Sequence, residues 1–354
     1  MKKINLLFVI NTLEAGGKER QFVEIIKYFK KDRIFRIGVI TFNENCHFTY
    51  EVKENVSYFV ELKKRPTRLE PLFTIWKHFN MFKPNIVHTW DELSSFYSYL
   101  PCKIFKIKFI NGSIRDSGIG RGWKYYFKRF FLKKADLVIA NSYEGLKRYK
   151  IQGKVIYNAI NQERFKGIMH NKLFNIIMVA NFTKYKDHKT FIDASIELLN
   201  DKIIDNVFLV GDGKYKLKYQ NYIPSELKDR FIFTGIVYDV EKYLSECKVG
   251  VLCSTLKYKE GISNSVLEYM AMGLIPIVSD VGALKEVIYD GYNGFLIKPE
   301  DKKSIYEKIK YVKDYYDKLK IINKNAIDTI NEKFNYDKNT CKLRIHYLNL
   351  LNSN

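Results

Sequence analysis

The chain has 354 residues, with 60 Lys+Arg against 39 Asp+Glu for a formal net charge of +21, and 46% of its residues are hydrophobic. That length predicts two domains, and the composition is too apolar for a disordered polyelectrolyte and too charged for an integral membrane protein. No stretch reaches the run of roughly 18 uncharged apolar residues that a spanning helix needs.

The first apolar segment, Ile4 to Ile10, follows Met1-Lys2-Lys3, contains Asn5 and lacks a small-residue cleavage site. It therefore reads as a buried strand of a cytoplasmic protein rather than as a signal peptide. Further strands are predicted at Arg36 to Thr41, Asn85 to Thr89, Ile107 to Asn111, Leu137 to Ala140 and Lys154 to Tyr157, with helix-length stretches such as Glu19 to Lys30 between them. Their continuous apolar character suits parallel strands covered on both faces. Asn161 to Lys172 has low apolar content and no period, which places a junction there. A second series then begins: Asn175 to Ala180, Val207 to Val210, Phe231 to Thr234, Val249 to Cys253, Ile275 to Ser279 and Gly294 to Ile297. This rhythm predicts an α/β protein of two doubly wound parallel sheets, over residues 1–165 and 166–335, with a closing helix at 336–354 that packs back toward the first domain. Ligands of such sheets bind beyond the carboxyl ends of the strands, in this case at a cleft that the two domains face.

Cys46, Cys102, Cys247, Cys253 and Cys341 form no CxxC pair, so they read as buried thiols rather than as a disulfide framework or a zinc site. The net charge alone names no partner. Its placement says more: Arg121 to Lys134 (RGWKYYFKRFFLKK) holds six basic residues, no acid, and interleaved aromatics. A helix of this kind can lay its aromatics into lipid headgroups while Lys and Arg meet anionic lipid; an ordinary helix with a buried aromatic face reads equally well. No nucleic-acid reading module accompanies these residues, and no nucleic-acid partner is expected.

The strongest chemical signal is Lys259 to Pro276 (KEGISNSVLEYMAMGLIP), which follows the predicted strand Val249 to Cys253. Gly261 permits close backbone approach, and Ser263 or Asn264 can open a helix that ends at Gly273. The free amides at such a start favour an anion, a diphosphate above all. Glu260 and Glu268 can flank that anion and accept hydrogen bonds from hydroxyls on either side. Gly16 and Gly17 after the first strand, Gly211 and Gly213 after Phe208-Leu209-Val210, and His88 after Ile86-Val87 occupy further strand ends. The turn Gly211-Asp212-Gly213 lacks the third glycine of a dinucleotide fingerprint, because Lys216 stands there. No DxD motif is present to hold a metal against a diphosphate, and no cofactor is implied.

The stretch from Lys259 resembles the E-x7-E motif of glycosyltransferase family 4, retaining enzymes of GT-B fold that use nucleotide-sugar donors. The resemblance extends in order along the chain. It takes in Leu13 to Arg20 (LEAGGKER), Pro84 to Thr89 (PNIVHT), Ala135 to Ser142 (ADLVIANS), Val155 to Phe165 (VIYNAINQERF) and Phe208 to Gly213 (FLVGDG). It implies that Glu260 contacts the donor sugar and Glu268 the ribose. Gly261, Ile262, Ser263 and Asn264 would offer backbone amides to the diphosphate, and His88 would contact the sugar and stabilise the transition state. The family's cationic pair after the second domain's first strand is an Arg and, five residues on, a Lys; this chain has Asn181 and Lys186. Lys186 is then the cation that offsets the leaving phosphate, with Lys184 or His188 as supplements.

The implied activity is metal-independent transfer of a hexose-type sugar, with retention, from a nucleotide sugar such as a UDP-sugar to an acceptor hydroxyl. A glycan or polyprenyl-linked acceptor at the inner membrane face, in bacterial surface polysaccharide assembly, fits the Arg121 to Lys134 segment. Two other readings stay open. A UDP-sugar 2-epimerase of related fold would need no acceptor, and a polyanion-binding protein would transfer nothing.

Overall fold

Thirteen strands are found in the computed structural model, which describes residues 3–63, 69–116, 122–165, 173–257 and 260–352. Arg121, Lys259 and residues 166–172 of the predicted junction lie outside the described residues. The chain divides into two compact units, one made of Met1–Asn158 with Asp337–Asn354 and the other of Ala159–Tyr336.

Unit 1 holds strands β1 (Ile4–Ile10), β2 (Phe35–Thr41), β3 (Tyr58–Glu61), β4 (Ile86–Thr89), β5 (Lys108–Ile114), β6 (Leu137–Ala140) and β7 (Lys154–Val155). They form one parallel sheet in the order β3-β2-β1-β4-β5-β6-β7. Sequence order reverses between β1 and β4, the point at which an open parallel sheet splays its loops apart and leaves a crevice. β3 is absent from the sequence reading because Tyr58–Glu61 is a short edge strand, each residue only partly buried, and its pattern is neither alternating nor wholly apolar. Apolar layers cover both faces of the sheet. One is built on Phe8, Phe22, Phe29 and Trp90, and it also takes in Leu343 and Tyr347 from the final helix, Tyr336–Asn352. The other is built on Val9, Phe79, Phe82 and Phe109. The final helix is therefore part of the unit 1 core.

Unit 2 holds β8 (Ile176–Val179), β9 (Val207–Val210), β10 (Phe231–Gly235), β11 (Val249–Leu252), β12 (Ile275–Ser279) and β13 (Phe295–Ile297). These are parallel in the order β10-β9-β8-β11-β12-β13, reversing between β8 and β11. The helix Asn264–Ala271 follows β11. It is pinned to the sheet by Tyr269, whose buried hydroxyl donates to Val251 O at 3.2 Å and accepts from Val179 N at 2.7 Å. Gly250 makes room for that ring, since a Cβ there would lie 2.3 Å from Tyr269 Cγ. Four of the five cysteines are buried as expected, whereas Cys341 is exposed, because position 341 falls on the outer side of the final helix.

Candidate functional site

The sequence-derived site residues lie at strand ends in both units, most of them at the two reversal points and Gly211 and Gly213 on the loop after β9. In unit 2 the loops leaving β8 and β11 zip together: Thr255 N donates to Tyr185 O at 3.0 Å, Asp187 N donates to Cys253 O at 3.2 Å, and Lys186 bridges Ser254. This pairing brings the Lys186 ammonium onto Glu260 Oε1. The same oxygen accepts from Ser254 Oγ at 2.7 Å, and Ala283 N donates to the Glu260 carbonyl at 2.8 Å. Glu260 and Glu268 are both buried, one just before and one within the helix Asn264–Ala271. Ser263 takes the N-cap position but makes no capping bond with its side chain. Ser265 Oγ instead donates to Val179 O at 2.7 Å and fastens the helix start to the end of β8. The result is a helix amino end preceded by the buried Glu260 and its Lys186 partner, with the buried Glu268 one turn further along the helix.

The glycine turn after β9 has a packing reason. Gly211 (φ +139°) and Gly213 (φ +146°) occupy backbone conformations that side chains disfavour. A Cβ would also lie 2.3 Å from Ala180 O at the first and 2.7 Å from Phe182 O at the second. Only at this separation can Ala180 N and Phe182 N donate to Val210 O and Asp212 O, both at 2.9 Å, so the turn sets the path of the β8 loop that carries Asn181 and Lys186. Asn181 is exposed on that loop. His188 cannot supplement Lys186 as a cation. Its ring is buried and stacked on Phe182 at 4.1 Å, and burial pulls it down to about 4, so it stays neutral. Lys184 is exposed.

In unit 1, Gly16 is the N-cap of the helix Gly17–Lys31, where a Cβ would lie 2.4 Å from Glu19 Oε2. The loop is tied to the end of β4: Trp90 Nε1 donates to Lys18 O at 3.1 Å, and Lys18 Nζ lies 3.6 Å from Asp91. His88 is fully buried. Its Nδ1 is 2.6 Å from the Tyr347 hydroxyl, and its Nε2 has no hydrogen-bond partner among the described residues. Burial first, and Arg115 second, hold its pKa well below the ordinary value, so His88 is neutral near pH 7. A neutral imidazole offers a hydrogen bond to a reacting group, not a charge. The cation of this region is Arg115, whose Nε donates to Gly112 O at 2.9 Å while its guanidinium lies over the Trp90 ring, 3.5 Å from the centroid. Arg115 and Tyr347 were not picked out from sequence. Arg115 follows a strand end carrying Gly112 and Ser113, the same signal that marked His88; Tyr347 becomes visible only when the last helix returns to β4.

The segment singled out for lipid contact forms the helix Trp123–Lys133. Trp123 (72% exposed), Tyr126 (62%) and Phe130 (50%) face outward. Lys128, by contrast, is buried and pairs with Glu92 at 2.9 Å. No helix among the described residues is long and apolar enough to cross a membrane.

Two parallel α/β units with chemistry-bearing residues at both reversal points define the GT-B class. The chain belongs to the family 4 glycosyltransferases: residues 15–164 match the model "Glycosyltransferase Family 4" and residues 174–314 match "Glycosyl transferases group 1". Among relatives, a glycosyltransferase of Methanocaldococcus jannaschii is 24% identical over 99% of this chain and 100% of its own. The UDP-Gal:alpha-D-GlcNAc-diphosphoundecaprenol alpha-1,3-galactosyltransferase of Escherichia coli is 30% identical over 56% of this chain and 54% of its own. Among solved structures, Anabaena HepE in complex with UDP superposes with a TM-score of 0.84 at 18% identity, covering 98% of this chain and 100% of its own.

Proposed function

We propose that this glycosyltransferase moves a sugar, with retention and without a metal ion, from a nucleoside diphosphate donor of the UDP-sugar kind to a hydroxyl of a lipid-linked glycan. The setting we propose is bacterial surface polysaccharide assembly at the cytoplasmic face of the membrane. One observation carries the reading: a helix amino end without a side-chain cap, at a sheet reversal point, preceded by the buried Glu260 with its Lys186 partner and carrying the buried Glu268 one turn on. The names of the Escherichia coli relative, with its UDP-linked donor and diphosphoundecaprenol acceptor, and of UDP-bound HepE support the substrate kinds.

In this reading the amides of Gly261, Ile262, Ser263 and Asn264 hold the diphosphate, Asn181, Gly16, Gly17, Gly211 and Gly213 line donor-binding loops, and Glu268 accepts from the ribose hydroxyls. Glu260 takes the donor sugar's hydroxyls once Lys186 turns from it to the leaving phosphate. The bond from the anomeric carbon to the phosphate oxygen breaks, and the acceptor oxygen bonds to that carbon on the same face. The acceptor's proton passes to the departing phosphate oxygen, so no side-chain nucleophile is needed. Lys186 and the helix amides neutralise the charge that develops on the leaving group, a term of several kcal/mol in a dry site. His88, neutral, donates a hydrogen bond toward the sugar from unit 1.

Calorimetry with UDP tests the donor assignment. Glu268→Ala removes charge-assisted bonds to the ribose, each worth roughly 1.5–3 kcal/mol, and so weakens UDP by about 10-fold or more. Unchanged affinity removes the ribose role. Proton NMR of a UDP-sugar incubated without acceptor separates transfer from epimerisation, which would interconvert the donor by itself.

A further inference from the structure

We propose that Arg115, seated on the face of Trp90, is the centre of an anion site in unit 1 that takes a phosphate group of the acceptor. The proposal rests on the transferase reading and deepens it by naming what unit 1 recognises.

The geometry is that of a cation waiting for a counter-ion. One face of the guanidinium is covered by the Trp90 indole, and Nε is spent on Gly112 O. Nη2 is buried and has no hydrogen-bond partner among the described residues, and none of the ion pairs there involves Arg115. The group that acts on its charge is the Tyr347 phenol, not a carboxylate, and burial pulls the guanidinium down to about 9. A buried guanidinium nitrogen left without a hydrogen bond is costly, and an anionic ligand that accepts from it would remove that cost.

The surroundings are short of acceptors as well. Asn111 Nδ2 and Ser113 Oγ are buried and unpartnered among the described residues, and so is His88 Nε2, which lies 2.4 Å from where a Cβ on Gly112 would stand. Arg115, Ser113 and Asn111 thus leave three polar atoms open within five residues of the β5 end, directly beside the end of β4. The seat is rigid. Trp90 is held by its bond to Lys18 O and packs edge-on against Phe22 at 5.3 Å. Arg115 as a residue is only partly buried, although its Nη2 is covered. A planar fork with one face stacked and Nη2 unbonded suits a tetrahedral oxyanion bonded through two oxygens. A phosphate meets that description. In a lipid-linked acceptor it sits next to the glycan that must be presented to the donor.

The test uses the full chain with Trp76→Phe and Trp123→Phe, which leaves Trp90 as the only tryptophan of the three. Farnesyl monophosphate is titrated against Trp90 fluorescence, and UDP is titrated by calorimetry. The expected result is saturable quenching by farnesyl monophosphate that weakens at least tenfold in Arg115→Gln, with UDP affinity unchanged. Arg115→Lys, which keeps the charge and loses the fork, should lie between and takes the place of Arg115→Gln if that variant does not fold. If instead UDP weakens and farnesyl monophosphate does not, the anion is the donor's diphosphate and the acceptor assignment is overturned. If neither ligand weakens in a variant that melts like wild type, Arg115 is a structural clamp and the site does not exist. Failure of wild type to bind UDP would sink the donor reading of unit 2 and leave the farnesyl arm to score unit 1 separately.

Discussion

Replacing Tyr347 by Phe isolates a single bond that joins the last helix to the histidine at the end of β4. The phenol ring packs on Phe29 at 5.4 Å and Phe35 at 6.1 Å, and a phenylalanine keeps both contacts. What is lost is the 2.6 Å bond from the hydroxyl to His88 Nδ1. Because His88 is fully buried and its Nε2 has no partner among the described residues, the variant leaves both ring nitrogens without a partner. Such a change costs about 1–3 kcal/mol, a factor of about 5 to 150 in the folded ratio. With a urea slope of about 2 kcal/mol/M for a unit of this size, the midpoint of unit 1 should fall by about 0.5–1.5 M. Trp76, Trp90 and Trp123 all lie in unit 1, so tryptophan fluorescence reports that unit alone and avoids the mixed transitions of a two-unit chain. The imidazole also loses the bond that sets its orientation, so kcat should drop about tenfold with the donor KM little changed, as when a positioned group is loosened. An unchanged midpoint together with wild-type kcat would refute the claim that Tyr347 orients His88.

Unit 2 carries a pH-dependent term with a definite sign. His188 binds its proton at about 4 when folded and near 6.5 when unfolded, because its ring is buried against Phe182 and beside Lys186. The unfolded chain takes up a proton that the folded one refuses, so the contribution is complete above pH 6.5 and is lost as pH falls toward 4; between pH 7 and 5 it amounts to about 2 kcal/mol. Circular dichroism melts at the two pH values should show that difference in wild type and lack it in His188→Phe; equal pH dependence in both would disprove it. At the membrane, changing Trp123, Tyr126, Phe130, Lys124 and Lys133 to Ser should reduce co-sedimentation with anionic vesicles at least tenfold, since each basic residue near such a surface contributes about 1 kcal/mol. Lys128 stays in place because its ion pair with Glu92 belongs to the fold. Equal sedimentation of the variant and wild type would end the membrane proposal.

Twelve of the strands could be read from the sequence because strands covered on both faces are written as short apolar runs between turn residues. The missing one, Tyr58–Glu61, is an edge strand that needs no such run. The site divides along the same line. Glu260 and His88 were legible because each sits at the end of a strand or just before a helix, and Glu268 because it lies one turn into that helix. The Lys186 pairing with Glu260 was not, since it depends on two loops from opposite sides of the reversal point bonding edge to edge. The supplementary role for His188 failed because position alone did not show that its ring turns inward onto Phe182. Arg115 was passed over because its meaning lies in the partners it lacks, and only coordinates reveal those.

Unit 1 is discontinuous along the chain: its last helix, bearing Tyr347, is made only after every residue of unit 2. A growing polypeptide can therefore assemble most of the first sheet early, yet the bond that orients its histidine forms only once the chain has passed through the whole of unit 2 and Tyr347 has returned to β4.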